Sequence, residues 1–382
     1  MAGHIRQRSP GSWELKLDRG ADPVTGKRRT RYATVKGSKA QANRELIRLL
    51  HEVHTGTAVD PAKTTVAEHT RAWLAVAGHL SGKTRERYQA IAEQQIIPHL
   101  GAIALQKLRP PHVKDWHTTL LKRGGFNGAP LSARTVGHCH GLLHVVLADA
   151  LARELVGRNV VSAVRPPKVE SDEIKILTRD ELGVALGKLG GHRLLPIAAV
   201  ALGAGLRRGE ICALQWKHVD FAAATLRVER SLDETTANGL QFKDPKSKNG
   251  RRTIALSGLV IAALQQHRRD QIELRLKIGI GGRPEPEDLL FTLPDGSIWS
   301  PDYLSRCWRR TVRELGLPAV GLHALRHSHA SALIAKKTDV LTVSRRLGHA
   351  DPAFTLRTYG HLFDNTDREA ADKLDDVLGG KQ

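Results

Sequence analysis

A chain of 382 residues is too long for one small module and leaves room for two or three compact units. Its 59 Lys and Arg against 39 Asp and Glu give a formal charge of +20 and a pI near 10.2, an excess that favours a polyanionic partner. Hydrophobic residues at 41% and charged residues of both signs at 26% describe a folded chain, not a disordered one. The most apolar stretch, Leu194 to Leu206, lies between Arg193 and Arg207 and falls short of the roughly 20 residues a spanning helix needs. It reads as a buried core helix, and no membrane partner is expected. Met1 to Ser9 lacks the apolar centre of a secretory signal, so a cytoplasmic location is expected. Cys139, Cys212 and Cys307 are odd in number, far apart and without Cys-x-x-Cys spacing, which predicts reduced, packed thiols rather than disulfides or a zinc site.

The first fifty residues hold 12 Lys and Arg but only 4 Asp and Glu. Apolar residues alternate at Trp13, Leu15 and Leu17, turn residues fill Ala21 to Gly26, and Lys27 to Val35 resumes with Tyr32 and Val35 among cations, which predicts a basic hairpin. Gly37-Ser38 then introduces a short helix through Ala40, Ala42, Leu46, Ile47, Leu49 and Leu50, packed on that hairpin. Such a ribbon suits a DNA groove, although a basic surface on an unrelated hairpin has the same composition. Gly56 to Thr65, with Pro61 and no periodicity, reads as a linker. From Val66 to Val164 the period is helical, and four helices fit between breaks at Gly82, Pro98 to Gly101, Pro110-Pro111 and Gly124 to Pro130. Arg165 to Lys175, containing Pro166-Pro167, is a second linker. Thr178-Arg179-Asp180-Glu181 has the form of a capping box and opens a third domain. That domain reads as helices to about Trp216, short strands and turns from Leu226 to Leu256, and helices to the end. The expected fold is multidomain and mainly α with small β-sheets. It comprises an N-terminal β-hairpin or sheet plus helix over 1–56, a four-helix domain over 64–165, and a mixed α+β domain over 175–382 that ends in a tail.

Five segments of the third domain put a cation, an imidazole or a phenol where a phosphate could use it. Gly205-Leu206-Arg207-Arg208-Gly209-Glu210 follows the apolar helix, and an arginine at a helix junction can present its planar fork to two phosphate oxygens. Lys246-Ser247-Lys248-Asn249-Gly250-Arg251-Arg252 carries an Asn-Gly hairpin signal before the strand Thr253 to Leu256, and a lysine at such a tip can reach a groove and donate a proton. His323-Ala324-Leu325-Arg326-His327 places His323 and Arg326 on one helical face. His323 and His327 also stand four apart, the spacing of a metal pair, but without the intervening Glu of the zinc-protease motif or a nearby cysteine. Leu347-Gly348-His349 and Thr355-Leu356-Arg357-Thr358-Tyr359 complete the set, Tyr359 in a polar setting unusual for a structural aromatic. Taken singly, each segment is explained by a surface ion pair, a soluble turn, a capped helix end or a packed ring.

Together, the order Arg, Lys, His-x-x-Arg, His, Tyr resembles the tyrosine recombinases, the phage integrase family that includes lambda integrase and the Xer proteins. The resemblance covers about Leu177 to Phe363 and, more loosely, the helical domain, which is similar to the family's core-type DNA-binding domain. The basic N-terminal module is similar to its arm-type DNA-binding domain. What the resemblance implies is a site-specific recombinase that cleaves and rejoins DNA through a 3′-phosphotyrosyl intermediate. Tyr359 is then the nucleophile, Arg207 and Arg326 bind the non-bridging oxygens, Lys248 protonates the leaving 5′ oxygen, His323 assists proton transfer with the tyrosine, and His349 hydrogen-bonds the phosphate. Arg207 is preferred to Arg208 because it follows Gly205-Leu206 as in the family, and Lys248 to Lys246 from its distance to the following strand. Glu210 matches a supporting acidic position, and Ala324 stands where relatives commonly carry Asp. The covalent bond conserves the phosphodiester energy, so no cofactor and no metal are expected. The implied partners are double-stranded DNA attachment sites, a homotetramer at synapsis, and an accessory DNA-bending or excision factor. A non-catalytic DNA-binding regulator and a type IB topoisomerase-like enzyme are the alternatives. The acidic segment Asp364 to Leu378, with Ala370, Ala371, Leu374 and Leu378 at helical spacing, suits docking on a neighbouring protomer or on its own core.

Overall fold

The period-two alternation at the N-terminus becomes a three-stranded antiparallel sheet, β1 (Gly3–Ser9), β2 (Ser12–Ala21) and β3 (Arg28–Lys36), in that order. The computed structural model describes every residue except 1–2, 22–24, 56–58, 60–61, 171–175, 246–247, 280, 364–373, 375–377 and 379–382. The expected hairpin is β2 with β3, and β1 is an added strand. Polar His4, Arg6 and Arg8 hide its alternation, since Ile5 is its one large apolar residue on the core face. Ile5, Trp13, Leu15, Leu17, Ala33 and Val35 pack against Ala42, Leu46, Leu49 and Leu50 of α1 (Lys39–His54), whose amides are capped reciprocally by Ser38 and Gln41. The opposite face aligns His4 with Lys16 and Lys16 with Tyr32, and Arg6 with Glu14. Tyr32 is 58% exposed there, with Lys16 Nζ 6.0 Å from its ring centroid.

Helices α2 (Val66–Val76), α3 (Gly82–Ile91), α4 (Ile97–Leu100), α5 (Pro110–Arg123) and α6 (Ala133–Ala152) follow. They enclose a second core around Trp73, Ile96, Trp116, Leu120, Leu143 and Leu147. The break expected over Pro98 to Gly101 falls at Gly101, the C-cap of α4, with Pro98 in that helix's first turn. A π-turn over Ala92–Ile96 joins α3 to α4. Proline lacks the amide that an α-turn would use, and the wider turn just before it accommodates the missing bond. The sheet, α1 and these helices fall in one compact unit, Met1–Ser171, while Asp172–Gln382 form another.

The second unit opens with α7 (Arg179–Lys188), where Thr178 and Glu181 form the anticipated capping box. The apolar stretch is α8 (Leu195–Ala204), buried between α10 (Gly258–Lys277) and α12 (Leu322–Ala335) and followed by the short α9 (Arg208–Cys212). Strands β4 (Val219–Asp220), β5 (Thr225–Val228) and β8 (Arg252–Ala255) make one antiparallel sheet, and β6 (Ser231–Thr235) and β7 (Gly239–Lys243) a separate hairpin. Asn249-Gly250 is therefore not a hairpin tip: it lies in a 3-10 turn leading into β8, which pairs with β5. The hairpin signal that operates is Asn238-Gly239, where Gly239 takes φ +62 at the start of β7, opposite Thr235 at the end of β6. Helices α11 (Pro301–Glu314), α13 (Val340–Leu347) and α14 (Pro352–Tyr359) complete the unit. The acidic segment after Asp364 lies outside the described residues, apart from Leu374 and Leu378, which are helical. All three cysteines are free, and burial pushes the Cys139 and Cys212 thiols up to about 11 and about 12. Among the described residues no helix is long and apolar enough to cross a membrane.

Candidate active site

Two helices of the second unit end in a left-handed glycine, and carbonyls at those ends hold the two arginines of the site. Gly205 caps α8 with φ +65, and Gly348 caps α13 with φ +65. Neither position admits a side chain: a Cβ on Gly205 would come within 2.7 Å of His329, and one on Gly348 within 2.8 Å of Arg252. Arg326, on α12 and 3% exposed, donates through Nη1 to the Gly205 carbonyl (2.6 Å) and through Nη2 to the Leu347 carbonyl (2.8 Å). Arg207, the N-cap of α9, donates through Nη2 to the Gly348 carbonyl (3.1 Å). Both guanidinium groups thus sit at the negative ends of α8 and α13, where their charge is favoured. Burial, and then the charge of Arg207, pushes the Arg326 pKa down, yet a guanidinium starts high enough to stay protonated.

Glu210 ties these cations together. Its buried carboxylate accepts from the Arg207 amide (2.9 Å), from Arg207 Nη1 (2.8 Å), and from Arg252 through Nη1 (3.1 Å) and Nη2 (2.9 Å). Desolvation alone would raise its pKa. The Arg252 hydrogen bonds and the charges of Arg252 and Arg207 outweigh it and hold the carboxyl below its ordinary value. Arg252 is the residue that composition alone concealed, lying in a run of basic turn residues. It also donates through Nε to the Arg346 carbonyl (2.7 Å), locking β8 to α13. Its partner Glu210 is buried, and a buried carboxylate must be paired, but neither that burial nor the 42-residue separation is visible in the sequence.

The remaining candidates converge on the same end of the unit. The Lys248 backbone occupies the turn before β8, and the Asn249 side chain next to it donates to the carbonyls of His349 (3.2 Å) and Ala350 (3.3 Å). The turn is thereby pinned beside His349. Lys246, the alternative lysine, lies outside the described residues. His349 is buried, its Nδ1 2.7 Å from Thr355 Oγ1, and desolvation followed by the charges of Arg326, Arg207 and Arg252 pushes it down to about 4. Tyr359 is 3% exposed and packs with Ala330, Ile334, Val343 and Leu347, so burial raises its phenol to about 12.

The imidazole on the Tyr359 hydroxyl is His327, at 2.6 Å, and not His323. His323 stands one turn earlier on α12, exposed at the surface yet crowded by protein, and its ring meets that of His327 edge-on at 4.7 Å. Desolvation and the neighbouring His327, Arg326 and Arg207 push it down to about 4. Among the described residues no group of three or more His, Cys, Asp or Glu side chains is arranged to hold a metal ion.

The family model described as "Phage integrase family" matches residues 185–366, and the one described as "Phage integrase, N-terminal SAM-like domain" matches residues 65–121. The ICEBs1 integrase of Bacillus subtilis (strain 168) is 27% identical over 98% of this chain and 100% of its own length. The Tn1549 transposon integrase, solved in complex with transposon right end DNA, shares the fold with a TM-score of 0.69 at 20% identity, covering 81% of this chain and 99% of that one. Lambda integrase, solved as a tetramer bound to a Holliday junction, gives a TM-score of 0.55 at 18% identity over 91% of this chain and 92% of its own.

Proposed function

The chain belongs to the phage integrase family of tyrosine recombinases, site-specific recombinases of phage or mobile-element DNA, and on that premise we propose that Tyr359 is its nucleophile. The observation that carries this assignment is the convergence of Arg207 and Arg326 on the carbonyls that cap α8 and α13, with Tyr359 packed against the same α12 and α13. Two guanidinium groups held in place before the reaction can receive the non-bridging oxygens of a phosphodiester, where charge accumulates in the pentacovalent transition state. Tyr359 Oη attacks phosphorus, a 3′-phosphotyrosyl bond forms, and the bond to the 5′ oxygen breaks. Lys248, on the turn that Asn249 pins beside His349, supplies the proton to that leaving oxygen. Thr355 on His349 Nδ1 leaves Nε2 to donate to the phosphate. His323, exposed on α12, assists the tyrosine's proton through its ring contact with His327.

In this reading residues 1–56 serve as an arm-type DNA-binding domain, 64–165 as the core-type domain, and 175–382 as the catalytic domain. The Lys16, Tyr32 and Arg6 face of the N-terminal sheet supports a DNA contact of its own. Double-stranded attachment sites are the substrate, strand exchange proceeds in a homotetramer at synapsis, and an accessory bending or excision factor assists. A nicked suicide substrate tests the chemistry. Wild type accumulates a covalent DNA adduct and Tyr359→Phe accumulates none; an equal yield from the variant would remove Tyr359 from the role.

A further inference from the structure

We propose that His327 is the catalytic residue that takes the proton from Tyr359 as it attacks, and returns it when the phosphotyrosyl bond is resolved. The inference rests on the assignment of Tyr359 as nucleophile and goes beyond it. A general base must lie within hydrogen-bond reach of the proton it removes, and His327 Nδ1 is 2.6 Å from Tyr359 Oη. His323, though on the same helix, meets Tyr359 only by way of the His327 ring.

The surroundings suit the task. Tyr359 is 3% exposed, so bulk water has little access to its hydroxyl, and the proton needs a protein acceptor. Burial, followed by the charge of Arg326, holds His327 below the usual imidazole range, which keeps it neutral at pH 7. The charged and titratable groups facing it are His323 and Arg326 on its own helix, His349 beyond α13, and Tyr359 on α14. Among the described residues no carboxylate joins them to raise its affinity for a proton. With Nε2 carrying the ring proton, Nδ1 accepts from the phenol. In the forward step the Tyr359 Oη–H bond breaks, Nδ1 gains that proton, the phosphorus–Oη bond forms and the phosphorus–5′ oxygen bond breaks, the 5′ oxygen being protonated separately. The transfer is uphill for a free phenol but is drawn forward as Oη becomes an ester oxygen, which no longer binds a proton. In resolution the incoming 5′ hydroxyl gives its proton to Lys248, its oxygen bonds to phosphorus, the phosphorus–Oη bond breaks, and the His327 proton goes back to Oη.

The test measures single-turnover adduct formation on a nicked suicide substrate, with DNA affinity measured in parallel. His327→Ala and His327→Asn are each expected to slow adduct formation about 100-fold or more at unchanged affinity. Asparagine retains a hydrogen-bonding group near the Nδ1 position but cannot carry the proton. Free imidazoles added to His327→Ala are expected to restore the rate, and to do so better as their basicity rises. An Asn variant as fast as wild type, or rescue independent of basicity, would mean that His327 only holds the ring in place and would overturn the proposal. If Tyr359→Phe also forms the adduct, the nucleophile assignment fails. If it forms none while both His327 variants keep the wild-type rate, this inference alone fails.

Discussion

The N-terminal sheet and the cleft of the second unit are both rich in cations, and they use them in opposite ways. On the sheet, Arg6, Lys16 and Lys36 stand in solvent on the face opposite the core, and among the described residues no backbone carbonyl engages them. In the cleft, Arg326 and Arg252 are sunk into the protein, and with Arg207 they are each fixed by carbonyls at helix ends or by Glu210. Exposed cations are interchangeable, screened by salt, and act by their number. Buried ones have a fixed geometry, act individually, and can stabilise a transition state because they need not reorganise to meet it.

The sharpest way to break this contrast is to change one buried cation. Arg326→Ala is expected to lower adduct formation by about a thousandfold or more, and to destabilise the second unit because the Gly205 and Leu347 carbonyls lose their donor, at roughly 1–3 kcal/mol for each buried group left unmet. Single-turnover cleavage and denaturant melts check the two parts. A variant that cuts at the wild-type rate would show that the cleft arginines act only by number, as the sheet's do.

Glu210 gives the next effect in size. Replacing it by Gln leaves Arg252 and Arg207 with a neutral acceptor, and breaking a buried pair from one side costs about 3–5 kcal/mol. The double variant Glu210→Gln with Arg252→Met is expected to lose less than the sum of the two single changes, since it removes both buried charges together. Additive losses in urea melts would mean that the pair is not coupled.

How much of this was legible in the sequence follows from the same contrast. The order of chemical residues along the chain, the capping box at Thr178 and the apolar α8 are local patterns, and the structure carries them as read for the cap and the helix. The hairpin near Asn249 was misplaced because an Asn-Gly pair specifies a turn only when flanking strands pair, and β8 pairs with β5 across some 25 residues of chain. The break over Pro98 to Gly101 falls at Gly101 as its residues indicate, but the π-turn ahead of Pro98 escapes a local reading. The buried Ile91 and Ile96 are five apart, a π spacing that an α-helical template passes over. His327 and Arg252 were not legible because their importance lies in contacts with Tyr359 and Glu210, 32 and 42 residues distant, and adjacency to other basic residues gives no hint of them.

Acidification sharpens the comparison from another side. His349, His329 and, in the first unit, His117 are buried, and desolvation leads in pushing each down from 6.5 to about 4. Between those values the unfolded chain binds more protons than the folded one, so stability must fall as pH drops from about 6.5 toward 4. The slope approaches roughly 1 kcal/mol per pH unit for each group. Glu210 adds to the loss only at lower pH, since its folded carboxyl titrates below the ordinary 4.5 and its contribution goes as pH falls through that value. Thermal melts at pH 7 and pH 5 check the expectation, and equal stability at both would refute it. His349→Gln should flatten the slope for the second unit.

The smallest effects belong to the exposed sheet. Arg6→Gln or Lys16→Gln should alter stability by less than about 0.5 kcal/mol, because neither side chain is buried and the core face of Leu15 and Leu17 is untouched. Each cation that meets a phosphate displaces counterions, so each substitution should reduce the dependence of log affinity on log salt by about 1, with no preference for one DNA sequence over another. Tyr32→Ala separates the aromatic from the charge. It should weaken binding while leaving the salt slope unchanged, because its ring contributes contact area and the cation–π partner of Lys16 but displaces no counterion. A change in slope on losing Tyr32 would show that Lys16 needs the ring to reach a phosphate. The exposed face would then be preorganised in the same sense as the cleft, and the distinction between counted and positioned cations would no longer divide the molecule where it is drawn.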